Sequence, residues 1–342
     1  MAPTAMAPTA ASLMRACCGI LAPVLAGACV HGKRGFVANH LHVSPSCDDL
    51  LLLNRTSWFY TYRVSAPYLE TRTPRGDCQR ARATISRGFT PMYWCELGLS
   101  KDVPSYANTT YILGFNEVNH PANCARSPRE AARLWKRVMD KWPHAKLVSP
   151  STAGLDPTVT TGYEPVREHE TQAVWWWDNF FGNCTALYGS RGCNIAYLNV
   201  HSYNCIPDML MRYLKKLYDR YKLPLWLTEF SCGPRVANRT TAQHLEFMRA
   251  ILPRLDAADY VFRYAWFGAR DPSGRRGLVE TRADGTPQLT ELGREYNSCG
   301  PAKAAKLSMG GKWSDVGQTA LPARPEAEAR GATAWWAAPL LA

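Results

Sequence analysis

From Lys33 onward, β-rich runs alternate with segments of helical period, and this alternation limits the possible folds more than any other feature of the chain. The candidate strands are Arg34–His40, Ser57–Tyr62, Phe89–Leu97, Tyr111–Glu117, Ala145–Thr152, Ile195–Tyr203, Leu223–Phe230 and Tyr260–Gly268. The clearest helix opens at Ser127-Pro128-Arg129-Glu130, a capping box with proline at the first helical position. It continues with Ala131, Leu134, Trp135, Val138, Met139 and Trp142 on one face. Further helices are predicted over Thr171–Phe181, Asp208–Tyr221, Thr241–Leu255 and Thr290–Tyr296. Eight strands alternating with helices over about 265 residues predict an α/β fold, a single-domain (β/α)8 TIM barrel spanning 32–300. An open doubly wound sheet is the alternative, but no glycine-rich phosphate-binding turn follows any run.

Composition narrows the class further. With 46% hydrophobic and 20% charged residues among 342, the bulk of the chain is not disordered. No run of 18 apolar residues is present, so no stable membrane span is expected. The net charge of +12 comes from scattered basic residues without a Lys/Arg block, which argues against a nucleic-acid partner. Arg15 precedes the apolar stretch Ala16–Val30, with small residues at Ala26-Gly27-Ala28, and residues 1–28 read as a signal peptide. Sequons at Asn54, Asn108, Asn183 and Asn238 agree with a secreted glycoprotein, extracellular or in a cell wall. Residues 301–342 are rich in Ala, Pro and Gly and are expected to form a flexible tail. The cysteines are dispersed and form no C-x-x-C pair, so disulfides are expected rather than zinc. Cys184 and Cys193 lie close together before the sixth strand, and Cys205 and Cys232 follow the adjoining sixth and seventh strands. Both pairs are expected to bond. The chain is expected to be a monomer without cofactor or metal.

In a barrel, catalytic side chains sit at the C-terminal ends of strands. There the sequence has Asn116-Glu117 on the fourth strand, Glu229 on the seventh, His201 and Tyr203 on the sixth, Trp94 on the third and Trp266 on the eighth. Paired carboxylates suit glycoside hydrolysis: one protonates the leaving oxygen and the other attacks or activates water. Aromatic faces suit the C–H faces of sugar rings, so Trp94 and Trp266 are candidate platforms. His201 and Tyr203 fit as hydrogen-bonding supports for a glutamate or a sugar hydroxyl, or equally as core residues. A glucan-binding protein without activity would fit the same aromatics. A metal-dependent hydrolase using His40, His42, His201 and Asp271 has a weaker basis, because no strand-end Lys or second close His completes a ligand set.

The motifs carrying a resemblance are Lys33-Arg34-Gly35, Pro91-Met92-Tyr93-Trp94, Gly114-Phe115-Asn116-Glu117, Leu147-Val148-Ser149-Pro150, Trp177-Asp178-Asn179-Phe180-Phe181, Val200-His201-Ser202-Tyr203, Trp226-Leu227-Thr228-Glu229-Phe230 and Arg263-Tyr264-Ala265-Trp266-Phe267-Gly268. In this order, from Lys33 to Cys299, the chain resembles glycoside hydrolase family 128, secreted β-1,3-glucanases of fungi and bacteria. The resemblance implies a retaining endo-β-1,3-glucanase acting on β-1,3-glucan. It places the acid/base on Glu117, the nucleophile on Glu229 and glucan-stacking aromatics near Trp94 and Trp266, while Asn116, His201 and Tyr203 are candidate substrate contacts from their strand-end positions. Val118 stands where such barrels often have proline, and Cys95 where the family usually has glycine. A retaining pair implies carboxyls about 5–5.5 Å apart. Mutual repulsion is expected to raise the pKa of the acid partner Glu117.

Overall fold

A computed structural model of the chain describes residues 32–38, 48–66, 88–121, 123–153, 173–232, 239–271 and 274–298. In order the elements are β1 (Arg34–Val37), α1 (Asp48–Leu52), β2 (Trp58–Tyr60), a 3-10 turn at Glu96–Ser100, β3 (Tyr111–Leu113), α2 (Pro128–Lys141), β4 (Lys146–Val148) and α3 (Ala173–Tyr188). They continue with β5 (Ile195–Ser202), α4 (Pro207–Tyr221), β6 (Leu225–Phe230), α5 (Thr241–Ala257), β7 (Val261–Trp266), β8 (Val279–Thr281), β9 (Pro287–Leu289) and α6 (Glu291–Tyr296). The signal segment, the tail, Cys29, Cys47, Cys78, Cys299, His40, His42 and Asn238 lie outside the described residues.

Seven parallel strands form one curled sheet in the order β2-β1-β7-β6-β5-β4-β3, within a single α/β domain. The expected third strand, Phe89–Leu97, is not a continuous strand. It makes isolated parallel bridges from Phe89 to Phe59 and from Met92 to Leu113. Proline at position 91 has no N–H to donate, although its carbonyl accepts from Leu113 N at 3.0 Å. Residues 96–100 then turn into the 3-10 helix instead of extending the strand.

Alternation along the strands sorts the core into two layers. Val37, Tyr60, Leu113, Val148, Tyr197, Trp226 and Ala265 form one buried cluster. Their neighbours Phe36, Phe59, Ile112, Leu147, Leu198, Leu225, Leu227 and Tyr264 join the other cluster, together with the helices' apolar residues. α2 shows how a helix contributes. Ser127 Oγ accepts Glu130 N, Glu130 Oε2 accepts Ser127 N, and Ala131, Trp135 and Val138 are buried. α3 extends seven residues beyond the expected Phe181 end. The antiparallel β8–β9 hairpin, turned at Asp284-Gly285 with Gly285 at φ 81°, is an addition to the expected elements.

Candidate active site

The site is assembled by three strand ends. His201 on β5 and Glu229 on β6 are cross-strand partners, and the β5–β6 ladder shifts register between Val200 and His201. Simple alternation from inward-facing Trp226 would send Glu229 to the helix-facing side with Leu225 and Leu227. The β6–β7 register shifts between Leu227 and Phe230, and Glu229 instead meets His201 and two phenols. Ladder irregularities of this kind commonly re-aim a side chain at an active site.

Glu117 arrives from β3 through a close approach of two backbones. A Cβ on Gly114 would lie 2.7 Å from the Ser149 carbonyl and Pro150 N, so only glycine lets these strand ends pass. Beyond it, Glu117 N donates to Ser151 Oγ at 2.9 Å and Val118 N to Ser151 O at 3.0 Å. Glu117 itself adopts φ 39°, in the left-handed region where a side chain is strained.

Glu117, His201 and Glu229 each bring one polar atom within 4.8 Å of the others. His201 Nδ1 lies 3.1 Å from Glu117 Oε1 and 3.4 Å from Glu229 Oε2. Asn123 Nδ2 donates to Glu117 Oε2 at 2.9 Å. Tyr62 OH donates to Glu229 Oε1 at 2.6 Å, and Tyr203 OH donates to Glu229 Oε2. Asn116 Oδ1 and His201 Nε2 are buried without a hydrogen-bond partner among the described residues. The three ionisable groups are of types that can ligate a divalent cation. Both Glu229 oxygens, however, already accept phenol protons, a donor set suited to holding a carboxylate directly.

Burial pushes the Glu229 carboxyl above its ordinary value. The nearby Glu117 charge adds to this, against the opposing pull of His201, Tyr203 and Tyr62. Burial would also raise Glu117, but the His201 hydrogen bond and charge, with His120 and Asn123, hold it below the ordinary carboxylate value. Burial opposes the charged His201 ring, and the two glutamates outweigh it and raise its pKa. A raised pKa was expected on Glu117. The rise falls on Glu229 instead: burial and the Glu117 charge raise it, whereas the His201 hydrogen bond and charge, with His120 and Asn123, lower Glu117.

The other expected contacts divide. Asn116 lies beside Glu117, its N–H donating 2.8 Å to the Trp94 carbonyl, and Trp94 remains partly exposed. Trp266 is fully buried: its ring packs on Phe230, Phe247 and Tyr296, and its indole N–H donates to Arg276 O at 2.9 Å. It offers no face to a sugar, because its neighbour Ala265 takes the inward position and strand alternation sends Trp266 toward the helices. Asp271 accepts from Arg276 N and Nε. Cys184–Cys193 and Cys205–Cys232 are bonded, as is Cys95–Cys124, which had no assigned pairing. Tyr62 and Asn123 were absent from the expected site. Tyr62 ends the second candidate strand, so its position carried the same signal as the other strand ends. Asn123 carried none.

Of the sequons, Asn54 is exposed, while Asn108 and Asn183 are half-buried. No helix among the described residues is long and apolar enough to cross a membrane.

The model of the glycosyl hydrolase catalytic core matches residues 42–296. No curated protein sequence matches the chain. Among solved structures, it is similar to a family 128 (subgroup II) endo-β-1,3-glucanase from Sorangium cellulosum. The two share 28% identity over 78% of this chain and 98% of that one, with a TM-score of 0.60. A subgroup II endo-β-1,3-glucanase from Pseudomonas viridiflava gives 26% identity, 78% and 98% coverage and a TM-score of 0.59. A subgroup V exo-β-1,3-glucanase from Cryptococcus neoformans shares the fold at 24% identity, 78% and 98% coverage and a TM-score of 0.57. The chain therefore belongs to the glycosyl hydrolase catalytic core family, within glycoside hydrolase family 128.

Proposed function

We propose that this glycosidase is a secreted, retaining endo-β-1,3-glucanase, with Glu229 as nucleophile and Glu117 as acid/base. The observation that carries the proposal is the placement of Glu117, His201 and Glu229 within 4.8 Å of one another at strand ends. That separation suits a double displacement, since an inverting pair would need about 6.5–9.5 Å to admit a water. Glu229, held by two phenol donors, attacks the anomeric carbon. Glu117 protonates the departing oxygen, then takes the proton of the incoming water. Trp94 and Asn116 are proposed to contact the glucan. The endo-acting relatives of subgroup II support internal cleavage. Bridges from residues 89–92 to β2 and β3 support closure of the sheet into a (β/α)8 barrel. Three disulfides among the described residues support an oxidising, extracellular destination.

The proposed roles call for an ionised Glu229 and a protonated Glu117, whereas the pKa directions in the free site run the other way, Glu229 raised and Glu117 lowered. The same observation favours a second reading in which the two roles are exchanged. Azide trapping separates them. With an aryl glycoside, the acid/base variant plus azide yields the β-glycosyl azide, and the nucleophile variant yields the α-azide. Glu117→Gln giving the β product and Glu229→Gln the α product supports the assignment, and the reverse pattern exchanges it. Inverted anomers from the wild-type enzyme, or glucose alone as the first product from laminarin, would refute the retaining or the endo part.

A further inference from the structure

We propose that Asn123 is a positioning residue for Glu117, and that the Cys95–Cys124 disulfide holds it in place by fastening its loop to the segment bearing Trp94. The proposal rests on the assignment of Glu117 as acid/base.

The chain leaving Glu117 folds back on itself. His120 N donates to Glu117 O at 2.8 Å, Asn123 N to His120 O at 3.0 Å, and Arg126 N to Val118 O at 2.8 Å. This return brings the Asn123 carboxamide to Glu117 Oε2 at 2.9 Å, although Asn123 lies six positions further along the chain. A carboxamide on such a loop would lose its contact to conformational freedom unless the loop were tied down. Two ties are present. Cys124, the next residue, bonds Cys95 with Cα atoms 5.5 Å apart. Two residues further, Arg126 Nη2 pairs with Glu96 Oε2 at 2.9 Å, beside Cys95. The anchored segment also touches the site from its other side, because the Trp94 carbonyl accepts the Asn116 N–H. Trp94, Asn116, Glu117 and Asn123 are thus linked in one covalently closed unit.

The chemistry follows from the donor. An amide N–H pointed at a carboxylate oxygen stabilises the ionised form, which Glu117 needs when it takes a proton from water in the second step. Removing the donor makes Glu117 easier to protonate. Groups facing Glu117 are His201 on β5, Glu229 on β6, Tyr60 on β2, Tyr203 beyond β5, and His120 in its own loop. All remain in place in the variants below.

The test is the pH dependence of kcat/KM for Asn123→Ala, Asn123→Asp and the double variant Cys95→Ser/Cys124→Ser, on β-1,3-glucan and on a nitrophenyl laminarioligoside. In Asn123→Ala the basic limb on glucan moves alkaline by about one pH unit. It moves at least as far in the near-isosteric Asn123→Asp, whose added negative charge also disfavours ionised Glu117. The double variant moves in the same direction. KM for glucan stays within about twofold, and release of nitrophenol, which needs little acid assistance, is unchanged. A basic limb that coincides with wild type in both Asn123 variants overturns the positioning role, as does a parallel fall on both substrates. A shifted limb in the Asn123 variants with none in a folded Cys double variant overturns the strap. Failure of the underlying assignment looks different: Glu117→Gln would then lose nitrophenyl activity as fully as glucan activity.

Discussion

His244 on α5 gives the fold a built-in sensitivity to acid. The ring is 3% exposed, and its Nδ1 has no hydrogen-bond partner among the described residues. Burial depresses its pKa from 6.5 to about 4, helped by Arg276, Arg239 and Arg275 and opposed by Asp271. Between these two values the unfolded chain binds a proton that the folded chain refuses, so stability rises with pH across that window. The contribution is complete above pH 6.5, declines as the pH falls, and is lost below about pH 4. At about 1.4 kcal/mol for each pH unit, the span corresponds to about 3 kcal/mol. His244→Gln, which cannot protonate, should remove this slope. The assay is chemical denaturation at several pH values from 7.5 to 4, with the variant's unfolding free energy subtracted from that of wild type at each pH. Subtraction cancels the carboxylates that titrate over the same range. The difference should change by about 3 kcal/mol, with wild type losing its relative advantage toward low pH. A difference constant across the series would refute the reasoning, since the buried ring would then accept its proton freely.

Four further outcomes are expected. Asp49, wholly buried, meets Arg270 through two hydrogen bonds of 2.6 and 2.8 Å. Asp49→Ala should cost about 3–5 kcal/mol in denaturant titration by stranding the guanidinium, and Asp49→Leu with Arg270→Met should recover much of it. Trp266→Ala should lower unfolding free energy by about 3–5 kcal/mol while the folded fraction binds glucan as before. Trp94→Ala should show the opposite pattern, a several-fold weaker glucan affinity at nearly unchanged stability, by isothermal titration on the Glu229→Gln background. Gly114→Ala forces a Cβ to 2.7 Å from backbone at Ser149 and Pro150, so activity should fall far more than a methyl's volume suggests. Wild-type kcat/KM in that variant would show that the strand ends can separate without moving Glu117.

Much of this molecule was legible in the chain itself, because local periodicity and strand-end chemistry are local properties. Runs with β character and the Ser127–Glu130 box located most of the strands and the principal helix. Glu117 and Glu229 stood out as carboxylates at strand ends, and Cys184–Cys193 and Cys205–Cys232 followed from spacing on neighbouring elements. What the sequence left open depends on distances between segments remote in the chain. Whether a strand-end aromatic faces the cleft or the helices is a matter of parity, and parity put Ala265 inward and Trp266 in the core. Register shifts in β5–β6 and β6–β7, invisible in composition, bring Glu229 beside His201. Which carboxyl carries the raised pKa depends on partners from other segments, His201, His120 and Asn123 around Glu117 against the Glu117 charge beside buried Glu229. Asn123 reaches Glu117 on a loop that the Cys95–Cys124 bond closes, and a loop's closure is a contact between residues that no local pattern relates.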